Sequence, residues 1–459
     1  EKTSDKTLLP SGSKPYNSRI QTETYNKKAL TVHFVHKPLD IYTYATISMM
    51  GAGIDCVNTN HHVVSLLGNM MLDGVQNGER VVNKEAIGKI LRDNRIDLCF
   101  SASHGSFDVH IKCPQENTNV AFGLSSHMIE YPLLQAENFG AIKSAYLASI
   151  HGKQCSVDAQ ATSLLFNSMF PEDHPNYKML LENECGSIRA LTHEDILNFH
   201  KSFVSAPRVM TMFSPSKEHQ SHASVFTPIN MDASISFERA YKPRPLPLAS
   251  QNITMVIPDK TSVAFRMGKP IDLQFDDPDF LALQIATGAL AGGFGTRLMD
   301  VIRDQEGLTY GISGRLVKGN KNVHNSSTFV ISSSCNPKLL KQLKDDTLDV
   351  VREFLTDGIE GEELSDQKAY EKGSRKVQND KALNELNMIH YNAVKGSPSN
   401  VLDTYASRVD AITVEQVNRV IRKHLKLNEF SIVSVGSLLA SDSECGRKSC
   451  TDKNCDCTR

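Results

Sequence analysis

Ala291-Gly292-Gly293-Phe294-Gly295-Thr296-Arg297-Leu298-Met299-Asp300-Val301-Ile302-Arg303-Asp304-Gln305-Glu306-Gly307-Leu308-Thr309-Tyr310-Gly311 is the stretch from which the rest of the chain is read. Its glycines free the backbone to approach another chain closely. Leu298, Val301 and Ile302 recur at helical spacing, and Gly307 stops the helix before a β-rich run from Leu308 onward. The expected order is a loop, a short helix and a strand. Arg303 then lies on the helix and Tyr310 just past its end, where both can point into one cleft. A guanidinium and a phenol hold peptide carbonyls or a carboxylate without doing chemistry on them. The same spacing equally fits an Arg capping an exposed helix and a Tyr half-buried in a sheet, and leaves both readings open.

Outward from this stretch the chain repeats itself. Residues 1–24 are polar and read as a flexible arm. In the first half, β-rich runs at Ala29–Val35 and Tyr42–Met50 flank a turn at His36-Lys37-Pro38-Leu39-Asp40. Helices follow at His61–Leu72 and Asn83–Asp93, then a strand pair at Leu98–Phe100 and Phe107–Cys113. Three more helices span residues 117–131, 137–152 and 158–169, and a further helix, Thr192–Phe203, is capped by Thr192 with Asp195. Val209–Phe213 closes the half as a strand.

Residues 214–251 shift toward Ser, His, Pro and Lys and read as a linker, stiff at Lys242-Pro243-Arg244-Pro245-Leu246-Pro247. Beyond it the same order returns: strand Ser262–Met267, helix Pro278–Ala291, the glycine loop, the Arg303 helix, strands Thr309–Val317 and Ser327–Ser333. Helices Pro337–Leu355, Gly361–Lys376, Lys381–Tyr391 and Thr413–His424 and a last strand, Phe430–Val435, complete it. The pattern is an internal duplication of two α/β halves, residues 25–213 and 252–436, followed by a Cys-containing tail at 437–459 read as disordered.

The run Gly-Gly-Phe-Gly-Thr-Arg-Leu-Met-Asp-Val-Ile-Arg-Asp-Gln-Glu-Gly-Leu-Thr-Tyr-Gly-Ile resembles the C-terminal-half signature of the insulinase/pitrilysin-like metallopeptidases. Phe100-Ser101-Ala102-Ser103, Phe170-Pro171 with His174-Pro175, and Leu191-Thr192-His193-Glu194-Asp195 fall where that family places similar words. The resemblance covers roughly residues 25–436. It implies an α+β fold of two duplicated halves, each a mostly antiparallel sheet backed by helices, closing like a clam. It also makes Arg303 and Tyr310, with Gly292 and Gly293 of the loop, candidates for binding the substrate backbone opposite a zinc ion.

The family's catalytic motif, His-x-x-Glu-His on a helix of the first half, is missing. Two histidines four apart bind zinc on one helix face, and the glutamate activates water. When the family's Met-Leu-x-x-Gly ending is set on Met70-Met71-Leu72-Asp73-Gly74, Ser65 and Asn69 occupy the ligand positions and Gly68 the base position. A later glutamate ligand falls near Ser149. Serine and asparagine bind zinc poorly, and nothing is left to act as a base. His61 and His62 lie one turn early, are expected to point apart and read as helix-capping residues, while His193 and His200 have the wrong interval. The chain alone is therefore expected neither to hold catalytic zinc nor to cleave peptides.

Within the family, this division resembles the two-chain peptidases in which one subunit supplies the zinc motif and its partner the Arg and Tyr. The expectation is a non-catalytic, substrate-binding subunit of a heterodimeric zinc metallopeptidase. It needs no cofactor of its own, zinc being expected in a catalytic partner that carries His-x-x-Glu-His. The alternatives are a structural core subunit of the mitochondrial cytochrome bc complex or the non-catalytic subunit of the mitochondrial processing peptidase. A solitary peptide-trapping protein is a third.

Composition is consistent with these classes. The chain has 459 residues, 40% hydrophobic, enough for at least two cores. A net charge of −2 argues against nucleic-acid binding, and no apolar run approaches the roughly 18 residues that cross a bilayer, so a soluble chain is expected. The start at Glu1 suggests a removed leader, with the periplasm expected for a bacterial source and the mitochondrion for a eukaryotic one. Cys56, Cys99, Cys113, Cys155, Cys185 and Cys335 are expected to be reduced and buried. Cys445, Cys450, Cys455 and Cys457 crowd the tail without zinc-knuckle spacing and are assigned no role.

Overall fold

A computed structural model describes residue 15 and residues 19–25, 29–54, 60–103, 105–229, 250–274, 277–319, 327–397 and 400–437. The tail cysteines, Cys56, most of the N-terminal arm and most of the linker lie outside these residues. The chain forms two compact units.

The first unit is built on strands β1 (Ile20–Tyr25), β2 (Leu30–His36), β3 (Tyr42–Met50), β6 (Asp97–Ala102), β7 (Ser106–Pro114) and β8 (Arg208–Ser214), with a small hairpin of β4 (Gly74–Asn77) and β5 (Arg80–Asn83). The sheet order is β1-β2-β8-β3-β7-β6. The second unit is built on β9 (Asn252–Val256), β10 (Val263–Ile271), β11 (Thr309–Val317), β12 (Ser327–Cys335) and β13 (Ser431–Gly436), in the order β11-β12-β10-β13-β9. Setting β2, β3, β6, β7 and β8 against β9, β10, β11, β12 and β13 makes the two orders identical. In each, the pair that closes the half is parallel, β2 with β8 and β13 with β9. The pairs β3·β7, β3·β8, β6·β7 and β10·β12, β10·β13, β11·β12 are antiparallel. The duplication read from the sequence is thus a repeat of sheet topology.

Local chemistry sets the helix boundaries. Asn83 accepts from Ala86 N at 3.0 Å to start α2 (Lys84–Asp93), which follows α1 (His62–Met70). After α3 (Thr118–Glu130), α4 (Ala136–Gln154), α5 (Val157–Met169) and α6 (Leu181–Ala190), Thr192 and Asp195 form the expected capping box of α7 (His193–Phe203). Asp277 caps α8 (Pro278–Ala291), whose proline sits where no amide hydrogen is needed. The second half continues with α9 (Leu340–Asp357), α10 (Gly361–Asn379), α11 (Ala382–Val394) and α12 (Val414–His424), the last capped by Thr413.

The units are not consecutive halves. One gathers Glu1–Ile142, Thr192–Glu238 and Arg375–Arg408, and the other Lys143–Leu191, Arg239–Ser374 and Val409–Arg459. Helix α11 from late in the chain therefore packs on β3 and β8, where Leu386 and Ile389 close over Val35 and Phe213. Helix α5 from early in the chain packs on β10 and β13, with Leu164, Leu165 and Phe166 against Ala264, Val330, Val433 and Val435. Burial of each such large apolar side chain contributes about 1.5–3 kcal/mol. Division by repeat, at 25–213 and 252–436, and division by contact are different partitions of one chain.

Other expectations are corrected. Ile20–Tyr25, expected in the arm, is edge strand β1, and β9 and α6 are further elements beyond those expected from the sequence. Cys113, Cys185 and Cys335 are buried, but Cys99 and Cys155 are exposed.

Candidate functional site

The decisive stretch lies wholly in the second unit. The glycine loop ends α8, and Thr296 ties it down by donating to Gly293 O at 2.7 Å. The short helix expected at Arg303 is a π-helix, Met299–Gln305. Asp300 N still bonds four residues back to Thr296 O at 2.9 Å, but Glu306 N reaches five back to Val301 O and Leu308 N six back to Ile302 O, both at 3.0 Å. Such widened turns recur at functional sites. Here it buries Leu298, Met299 and Ile302 and leaves Val301 and Arg303 half-buried.

Gly307, at φ +65°, reverses the chain into β11, the edge strand of its sheet. The register of β11 on β12 slips between Thr309, opposite Cys335, and Ile312, opposite Ser333, so one extra residue is accommodated at Tyr310-Gly311. A bulge on an edge strand re-aims its side chain. Thr309 pins it, its hydroxyl donating to Ser334 O at 2.6 Å and accepting from Gly311 N at 3.1 Å. Tyr310 emerges 94% exposed, which corrects the half-buried alternative.

Arg303 and Tyr310 are brought together: the guanidinium carbon lies 5.8 Å from the Tyr310 ring centroid. It also lies 5.0 Å from the ring of Phe294, the exposed tip of the glycine loop. Arg303 Nη1 contacts Asp304 Oδ1 at 3.1 Å. Phe294 was missed in the sequence because a phenylalanine between glycines reads as loop. A Cβ at Gly292 would meet Gly288 O of its own helix at 2.7 Å, and Gly293, at φ +144°, has open space around it.

The degenerate positions lie elsewhere. Ser65, Gly68 and Asn69 share the less buried side of α1 in the first unit, with Asn69 Nδ2 donating to Ser65 O at 3.1 Å. A hydroxyl, a bare Cα and an amide committed to the backbone do not fit a zinc ion or a general base. Ser149 is exposed on α4, in the segment assigned to the second unit, with its hydroxyl on Tyr146 O at 2.7 Å. His61 and His62 do not point apart, since their ring centroids lie 4.1 Å from each other. Nor does His61 cap α1 with its side chain; Asn60 Oδ1 accepts from His62 N at 3.2 Å instead. His193 and His200 hold Leu134 O at 2.7 Å and Ile129 O at 2.8 Å, which gives that helix a structural use for both.

Comparison with known proteins bears on this arrangement. Residues 190–370 match the family described as Peptidase M16 inactive domain. The chain is similar to a Helicobacter pylori protein named Non-peptidase homolog YmxG, with 23% identity over 376 residues covering 80% of this chain and 84% of that one. Among solved structures it resembles a peptidase M16 inactive domain from Pseudomonas fluorescens, with TM-score 0.75 and 20% identity over 92% of this chain and 99% of the other. It also resembles a Helicobacter pylori protease, with TM-score 0.78 and 15% identity over 91% and 99%. No helix among the described residues is long and apolar enough to cross a membrane. The matched residues 190–370 include Arg303 and Tyr310, and the fold of the chain is shared with the peptidase M16 inactive domain.

Proposed function

We propose that this chain is the substrate-binding subunit of a two-chain zinc metallopeptidase. Its partner supplies His-x-x-Glu-His and the zinc, and an extended peptide adds as a strand to a sheet edge of that catalytic subunit. Arg303 and Tyr310 hold the peptide from the opposite side. The periplasm is the proposed compartment for a bacterial source and the mitochondrion for a eukaryotic one.

One observation supports the reading: the positions that the resemblance aligns with the family's zinc motif hold Ser65, Gly68 and Asn69, while Arg303 stands beside the exposed Tyr310, with 5.8 Å from guanidinium carbon to ring centroid. A subunit with a purely structural role has no use for such a pair. The test is fluorescence anisotropy with a library of fluorescein-labelled decapeptides, acetylated and amidated, alongside cleavage of a fluorogenic peptide with and without an added His-x-x-Glu-His chain. Arg303→Ala with Tyr310→Phe should leave unfolding unchanged and weaken both capture and partner-dependent turnover. Unchanged capture and turnover would sink the proposal.

A further inference from the structure

The loop Gly292–Gly295 displays one large side chain, Phe294, between two glycines whose backbone conformations disfavour any other residue: φ is +144° at Gly293 and +71° at Gly295. A Cβ at either glycine would meet nothing within 4 Å. The glycines are therefore needed for their angles and not for closeness to a neighbour. What the angles accomplish is to bring an apolar ring, 79% exposed, over a cation. An exposed phenylalanine loses apolar contact with nothing to offset it, unless it serves a neighbour or a ligand. The neighbour here is Arg303, 5.0 Å from the ring centroid, with Tyr310 at 5.8 Å.

A flexible arginine at a protein surface loses rotamer freedom when it grips a ligand, and fixing it beforehand reduces that loss. Three contacts limit Arg303 here: the two rings and Asp304 Oδ1 at 3.1 Å from Nη1. Asp304, half-exposed, is a solvated partner and Tyr310 is itself a candidate ligand contact. That leaves Phe294 as the group with no other evident use.

We infer that Phe294 is a positioning residue: carried by Gly293 and Gly295, it holds the Arg303 guanidinium ready for the backbone or carboxylate oxygens of a bound peptide. The inference rests on the peptide-binding reading above. An exposed cation–π contact is worth about two- to fivefold in an equilibrium constant, so Phe294→Ala should weaken capture of the best-bound fluorescein-labelled decapeptide by about that factor. Phe294→Tyr should restore it and Phe294→Leu should not. Because Phe294 acts through Arg303, Phe294→Ala should cause no further loss in an Arg303→Ala background. Gly295→Ala should fall with Phe294→Ala. Unfolding midpoints should be unchanged for Phe294→Ala, whose side chain is exposed.

The failures are distinguishable. If Arg303→Ala weakens capture and Phe294→Ala does not, the positioning role is overturned and the peptide-binding reading stands. Equal losses from Phe294→Ala with and without Arg303 also overturn the positioning role, since the ring then acts on its own. If Arg303→Ala has no effect, the peptide-binding reading fails and takes this inference with it.

Discussion

His390 Nε2 lies 2.8 Å from Ser48 Oγ, although 342 positions separate the two in the chain. Both are buried where α11 covers the first sheet. Ser48 donates to Asp108 Oδ1 at 2.5 Å, so the proton between Ser48 and His390 belongs to Nε2, and Nδ1 accepts from Thr211 Oγ1 at 3.0 Å. The imidazole is thereby held neutral in a row of polar residues that runs Thr22, His33, Thr211, Thr46, His110 across five paired strands.

That neutrality predicts an acid-side loss of stability. Burial, and then the neighbouring His110 and His33, lower the His390 pKa to about 3. An unfolded histidine binds its proton near pH 6.5. Between these values the unfolded chain takes up a proton that the fold refuses, so stability is complete above pH 6.5 and falls as the pH drops toward 3. Urea unfolding at pH 7.5 and 5 should show the native chain losing about 1–2 kcal/mol more than His390→Gln over that interval. Equal losses would show that His390 is not the group that titrates.

Metal content follows from the donor set on α1. Purified chain is expected to carry substoichiometric zinc by elemental analysis and to cleave no peptide alone. In the variant Ser65→His with Gly68→Glu and Asn69→His, the Cβ added at Gly68 would lie 3.4 Å from Phe100 Cβ. The variant should still give no cleavage without a further carboxylate near Ser149. Stoichiometric zinc in the native chain would point first to His61 and His62, whose rings lie together.

Thr309 links stability to the site. Thr309→Val removes the hydroxyl that Gly311 N and Ser334 O share, at a cost of about 1 kcal/mol in unfolding. The bulge then loosens, and peptide capture should weaken as it does for Tyr310→Phe. Normal capture by a destabilised Thr309→Val would mean that the bulge does not aim Tyr310.

Asp279 is a purely structural counterpart. Its carboxylate, 8% exposed, receives Arg419 at 2.9 Å and Lys423 at 2.7 Å from α12. Asp279→Asn should cost about 1–2 kcal/mol, moderated because both cationic partners are more than half exposed. Peptide capture by the folded protein should not change.

The parts of the fold that alternate strongly or carry caps were legible in the sequence. Pro278–Ala291 and Thr309–Val317 are bounded as read, because Pro278 and Gly307 punctuate them. Strand β1, Ile-Gln-Thr-Glu-Thr-Tyr, is polar and mostly exposed, so only its pairing with β2 makes it a strand. Helix α6 carries Cys185 and Gly186 at its middle and shows no clean stripe. The π-turn was illegible because an apolar spacing of three to four does not register a turn widened by one residue. At the site, Arg303 and Tyr310 were singled out by the family resemblance of their stretch, spacing alone leaving their role open, while Phe294 depends on loop angles that a sequence does not display. Similarity between halves reports which segments are alike; it does not say on which sheet a helix will land.

That last point bears on how the protein is made. As the chain emerges, β2, β3, β7 and β8 can pair once Ser214 is out, but Val35 and Phe213 stay uncovered until Leu386, Ile389 and Leu402 have been synthesised. Helix α5 faces the converse delay, presenting Leu164 and Phe166 long before Val330 and Val433 exist. Neither unit is finished before the segments that begin at Arg375 and Val409 have been made, and a chain truncated ahead of Arg375 is left with an uncovered apolar sheet face for chaperones or proteases to find.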